Sequence, residues 1–180
     1  MTIKNYGLMW DRDAVAWTGV KGNAGHLSGI GPVGQAKKNQ VLADFREQTG
    51  VYLLYDGRRV VYVGQAGSGN NDLYSRLKTH ITDHLADRWD RFSWFGIRNV
   101  NKDGSLSKQQ GELNRSLKAT EILDLIEGLM INILEPALNK QGARWKDVQQ
   151  YVQYKEGWDA MTDREILMEI VQHIGQENVG

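Results

Sequence analysis

Five side chains in this sequence have the types and spacing to do chemistry together: Tyr52, Tyr62, Arg76, His80 and Glu127. Arg76 and His80 are four positions apart, so on a helix they share one face, one turn from each other. A guanidinium can make bidentate contact with a phosphate. A carboxylate can hold a hard divalent cation, which neutralises oxyanions and stabilises a leaving alkoxide. A phenol titrates near pH ~10 in water, so it serves as a base only with positive charge beside it. Arg76, His80 and a bound metal are the candidates for supplying that charge.

Three elements must position these groups. Gly50-Val51-Tyr52 and Tyr62-Val63-Gly64 lie ten residues apart around an Asp56-Gly57 turn, and β-formers fill both flanks. That pattern predicts a hairpin. A three-residue loop would set Tyr52 directly opposite Tyr62, whereas a shift of one residue would put the rings on opposite faces, and the register stays open. Leu73, Leu77, Ile81 and Leu85 recur at helical spacing after Asn71 or Asp72, either of which can cap the helix. Ile122, Leu125, Ile126, Leu129, Met130 and Ile133 form a wide apolar stripe, which predicts a core-facing helix that Pro136 stops. Glu127 borders that stripe, where a carboxylate needs a partner or a metal.

The two tripeptides, in this order and at this spacing, resemble those of the GIY-YIG nuclease family, with valine for isoleucine in both. Arg76 and His80 match the arginine and histidine of the family's next helix. Glu127 matches its metal-binding glutamate, and Pro136-Ala137-Leu138-Asn139 matches the step that follows, with Asn139 twelve residues after Glu127. The resemblance runs from about Thr49 to Asn139. Where many members carry a lysine three residues after the second tyrosine, this chain has Gln65, which leaves Arg76 as the electrostatic clamp.

The resemblance implies a metal-dependent DNA endonuclease that hydrolyses phosphodiesters. Its site would comprise Tyr52, Tyr62, Arg76, His80, Glu127 and Asn139. One Mg²⁺ or Mn²⁺ ion would sit on Glu127, since a single acid fits one largely hydrated ion better than two. Tyr62, or His80 with a tyrosine, would orient and deprotonate the water, and Asn139 would steady Glu127 or a loop. The fold implied is α+β, a small antiparallel three-stranded sheet flanked by helices. Residues 1–48 would form a β-rich N-terminal extension packed on the nuclease domain at 49–140, with a C-terminal helical extension at 141–180. The flanking segments are too short for a separate DNA-binding domain, which favours a restriction or defence enzyme. Cutting both strands with one site per chain would favour a homodimer. The alternatives are a non-catalytic nucleic-acid-binding module on the same fold and a nuclease acting on RNA, in repair or in mobile elements.

Composition permits this reading without demanding it. The 180 residues suit one domain with a real core. The chain has no cysteine, so neither a disulfide framework nor a zinc finger can be built. No apolar run approaches the roughly 18 residues of a membrane span, and Met1-Thr2-Ile3-Lys4-Asn5 lacks a signal pattern, so a cytoplasmic protein is expected. The net charge is zero but unevenly spread. Residues 155–180 hold two basic and six acidic groups, which leaves residues 1–154 with 20 basic against 16 acidic, a surplus of four. Some of these cations could line a DNA groove.

Elsewhere, residues 6–17 suggest a strand or bent pair, and the six glycines of 19–34 a turn-rich stretch with a short strand at His26-Leu27-Ser28. Residues 36–48 read as a helix, Phe92 to Ile97 as a third strand, and Asn99 to Gln110 as a loop or hairpin. Residues 144–154 read as a helix or tail segment. Thr162-Asp163-Arg164-Glu165 is a capping box opening an amphipathic helix.

Overall fold

The computed structural model describes residues 3–17, 25–67, 71–108, 119–134, 145 and 148–154. In chain order the elements are β1 (Asn5–Asp11), β2 (Ser28–Gly31), a 3-10 turn (Lys37–Asn39), β3 (Val41–Asp44), β4 (Gly50–Asp56), β5 (Arg59–Ala66), α1 (Leu73–Thr79), β6 (Arg91–Gly96), α2 (Ala119–Leu134), β7 (Gln149–Gln150) and β8 (Val152–Gln153). They form a 5-stranded sheet, ordered β5-β4-β6-β1-β7, and a 3-stranded sheet, ordered β3-β2-β8. In the larger sheet β7 runs parallel to β1, and the other pairings are antiparallel.

This corrects the expected fold class. The three strands β5, β4 and β6 are present and adjacent, but they are not a small sheet flanked by helices. The molecule is mostly sheet, with two α-helices among the described residues. β1 joins the same sheet along the outer edge of β6, pairing from Asn5↔Gly96 to Asp11↔Arg91. A free β6 edge would leave a row of backbone groups unpaired, and β1 satisfies them.

Residues 36–48 are also not a helix. After the 3-10 turn, Ala43 and Phe45 are buried while Leu42 is exposed, an alternation of period two that suits a strand. Residues 149–153 are strands as well. β7 pairs with β1 and β8 with β2, so this short stretch joins the two sheets. Tyr151 sits between β7 and β8, fully buried, with its ring 4.9 Å from Phe45. The capping-box helix from Thr162 lies outside the described residues.

The core lies on both faces of the larger sheet. Tyr52 and Leu54 of β4 point to one face, where they join Trp10, Phe45, Leu73, Leu77, Phe92 and Trp94. Leu53 and Tyr55 point to the other, against Phe95, Leu129 and Ile133. Burial on both faces explains why Tyr52 to Tyr55 read as a continuous apolar run.

Burial raises the Tyr151 phenol from 10.0 to about 12, and it also raises Tyr6, Tyr52 and Tyr74 above their ordinary value. A raised phenol means that the fold favours the neutral form. The Tyr151 contribution is therefore complete below pH 10, where even the unfolded phenol is protonated, and is lost as pH rises toward about 12. Stability should accordingly fall as pH rises from 10.0 toward about 12, and Tyr151→Phe should flatten that fall. Guanidinium unfolding midpoints of both proteins across this range check it, and equal slopes would contradict the assignment.

Candidate active site

The hairpin sets the first two groups. β4 and β5 start from Asp56↔Arg59, with Gly57 and Arg58 as the turn, so the loop has two residues and not three. Without interruption this register would place Tyr62 opposite Leu53, on the face away from Tyr52. The ladder shifts instead, from Tyr55↔Val60 to Leu54↔Tyr62, which leaves Val61 as the extra residue of a bulge. Tyr62 thereby moves to the face of Tyr52 and Leu54. Tyr52 lies opposite Gly64, and its ring is 6.2 Å from that of Tyr62. The glycine at 64 is required sterically, because a Cβ at that position would run into the Tyr52 ring. At Gly50 the constraint lies in the backbone, since its φ is +156° and a Cβ would strike the Phe95 carbonyl.

α1 supplies the next two. The Asp72 side chain caps it by accepting from the Ser75 amide at 2.8 Å. The amides of Leu73 and Tyr74 donate to the carbonyls of Gln48 and Arg46, which seats the helix start beside β4. The helix stops at Thr79, earlier than its apolar spacing implied. Past Thr79 the amides of His80, Ile81 and Thr82 donate to carbonyls three residues back, and Asp83 Oδ1 accepts from the Leu85 amide at 2.8 Å, so the chain runs on in tight turns. His80 is the C-cap residue, and its carbonyl accepts from the Trp89 indole at 3.1 Å.

Tyr52, Tyr62, Arg76 and His80 come together on one face of the sheet. The Tyr52 hydroxyl is 2.8 Å from His80 Nε2, and the Tyr62 ring is 4.8 Å from the imidazole. Tyr52 is inaccessible to solvent and His80 nearly so, while Tyr62 is half-buried. Burial raises the Tyr52 phenol, and the hydrogen bond and charge of Arg76 oppose this without overcoming it. The expected lowering by positive charge thus loses to desolvation at Tyr52. Tyr52 and then Tyr62 hold the Arg76 guanidinium above its ordinary value. Arg76 Nε is buried and, among the described residues, meets no acceptor. A cation with an unused donor beside two phenols is suited to an anion with several oxygens.

The metal-binding candidate, Glu127, lies on α2. α2 packs Leu129 and Ile133 against the opposite face of the sheet, and Glu127 is exposed on that helix. The structure therefore does not bring Glu127 to the tyrosines. Asn139 lies outside the described residues. Among the described residues no group of three or more His, Cys, Asp or Glu side chains could hold a metal. The carboxylate at the cluster is Asp83, whose Oδ2 is 2.7 Å from His80 Nδ1. Burial acts to raise Asp83, but the Leu85 amide and the His80 side chain outweigh it, and the carboxyl lies below its usual range. Sequence reasoning missed Asp83, although an acid three residues after a helical histidine was a usable signal. A separate cleft of about 630 Å³ opens beside α1, lined by Arg46, Ser75, Lys78, Thr79 and Thr82 among others, and contains none of the cluster side chains.

No protein-family model, curated protein or solved structure matches this chain. Among the described residues no helix is long and apolar enough to cross a membrane.

Gly64→Ala should destabilise the fold by about 1–3 kcal/mol, because the new methyl group must displace the packed Tyr52 ring. Val63→Thr, at an exposed neighbour that keeps β-branching, should stay within about 0.5 kcal/mol. Urea denaturation of both variants checks this, and similar values for the two would mean that Tyr52 can move aside freely.

Proposed function

We propose that this chain is a phosphodiesterase that cuts DNA, with the cluster on α1, β4 and β5 as its reaction centre. The observation that carries the reading is the Arg76 guanidinium, held against two phenols, one of them hydrogen-bonded to a buried imidazole, with its Nε unsatisfied. Arg76 binds the scissile phosphate and offsets charge on its equatorial oxygens. Tyr62, the more accessible phenol, orients the attacking water. Tyr52 keeps its proton at neutral pH and hydrogen-bonds to His80 Nε2, so the pair can relay a proton without a standing phenolate. Water oxygen bonds to phosphorus, the phosphorus–oxygen bond to the leaving nucleoside breaks, the water proton passes through the phenols to the imidazole, and the leaving oxygen takes a proton from solvent. The resemblance to GIY-YIG nucleases adds a divalent cation. Glu127 and the cluster do not form one donor set, so every step here belongs to the chain's own groups.

The basic surplus of residues 1–154 supports a polyanionic partner. One observation favours a second reading, a nucleic-acid-binding module without activity: Glu127 is exposed on a helix whose Leu129 and Ile133 pack against the face opposite the cluster.

Supercoiled plasmid incubated with the protein and Mg²⁺ or Mn²⁺ should be nicked or linearised, with EDTA arms measuring the metal requirement. Arg76→Ala should lower the rate about 10²- to 10³-fold. Arg59→Ala should leave it unchanged, since that side chain is exposed and pairs with Asp56 at 3.1 Å. Equal losses in both would reduce Arg76 to one more surface charge. DNA binding without cutting by the wild type would favour the second reading.

Tyr62→Phe should lose most of the activity with unchanged circular dichroism, because the ring is kept and only the hydroxyl is lost. Glu127→Gln should melt with the wild type, since its side chain is exposed. Loss of cutting in Glu127→Gln would bring α2 into the reaction.

A further inference from the structure

We infer that Asp83 is the positioning residue of this site, orienting His80 and committing its Nε2 lone pair to the Tyr52 hydroxyl. The inference rests on the phosphodiesterase reading and deepens it.

Asp83 uses both oxygens. Oδ1 accepts from the Leu85 amide at 2.8 Å, which fixes the direction of the carboxyl group. Oδ2 then faces His80 Nδ1 at 2.7 Å. An ionised carboxylate can only accept, so Nδ1 carries the imidazole proton. In the neutral imidazole Nε2 then carries a lone pair, and the Tyr52 hydroxyl at 2.8 Å donates to it. The order is carboxylate, imidazole, phenol, each linked to the next by one short hydrogen bond.

The frame around the imidazole leaves it little freedom. The His80 side chain is 5% exposed, and its backbone carbonyl accepts from the Trp89 indole at 3.1 Å. Tyr62 lies against the ring edge at 4.8 Å. With both nitrogens engaged, His80 cannot turn without breaking two bonds in a buried place. A histidine that merely filled space would not need its lone pair aimed at a phenol beside a guanidinium. Asp83 touches neither Tyr52 nor a phosphate at Arg76, and so acts through His80.

The test uses the full chain labelled with ¹⁵N in its histidines. Long-range proton–nitrogen correlation spectra should show His80 protonated on Nδ1 and bare on Nε2. In Asp83→Asn the Leu85 amide still holds the side-chain oxygen, so the new amide group faces Nδ1 and donates to it. The His80 proton should move to Nε2, which would then donate to the Tyr52 oxygen and reverse the relay. Plasmid cutting should fall on the order of 10²- to 10⁴-fold while the melting temperature changes little. Asp83→Glu keeps a carboxylate and should keep the wild-type tautomer, so it serves as the second variant if Asp83→Asn does not fold.

Wild-type His80 protonated on Nε2 would overturn the inference. Unchanged tautomer and cutting rate in Asp83→Asn would overturn it too, and would leave the phosphodiesterase reading standing. If the wild type cuts nothing and the tautomer still reverses in Asp83→Asn, the orienting role of Asp83 is supported and the phosphodiesterase reading is the one that fails.

Discussion

β4 is the strand on which the other elements are registered. Its seven residues hydrogen-bond to β5 on one edge and to β6 on the other, from Gly50↔Ala66 and Gly50↔Gly96 onward. Its side chains are buried alternately on both faces, Tyr52 and Leu54 on one, Leu53 and Tyr55 on the other. A strand constrained on four sides cannot slip, since a one-residue shift would exchange its faces and break two ladders. Gly50 lets it pass the Phe95 carbonyl, and Gly64 leaves room for the Tyr52 ring. Both glycines of the paired tripeptides therefore answer to contacts around this strand.

The cluster follows from that rigidity and from two local irregularities. The Val61 bulge turns Tyr62 toward Tyr52. α1 ends at Thr79, and His80 just beyond it meets Asp83 three residues later, a carboxylate that the Leu85 amide also holds. Regular structure thus supplies the platform, and the departures from it aim the side chains. Arg76, one turn before His80, faces the same platform and keeps an unused donor.

Beyond β4 the sheet continues into segments that the family resemblance does not reach. β1 covers the β6 edge, and β7 and β8 tie it to the smaller sheet around Tyr151. Trp10, Phe45, Trp94 and Tyr151 fill the space between, with ring centroids 4.3–5.9 Å apart. An aromatic wedge of this kind holds the two sheets together and backs the face that bears Tyr52. Segments 3–17 and 148–154 thus contribute Trp10, Val15 and Tyr151 to the same core as Tyr52 and Leu54.

What the sequence determined by itself was local. Alternating β-formers around Asp56-Gly57 specified the hairpin, Asn71-Asp72 marked the start of α1, and the apolar stripe with Pro136 beyond it specified α2. The i, i+4 spacing specified that Arg76 and His80 share a face. Pairing partners were not legible, because β1, β7 and β8 find theirs at long sequence separation, and no periodicity records which edge is free. The strand at Val41–Asp44 was hidden for the same reason: its alternation acquires meaning only once β2 lies beside it. The face of Tyr62 turned on one bulged residue, and the place of Glu127 on which side of the sheet α2 packs. Each of these was decided by tertiary structure, since hydrogen-bond partners across a sheet and the two faces of a packed strand exist only after distant segments have met.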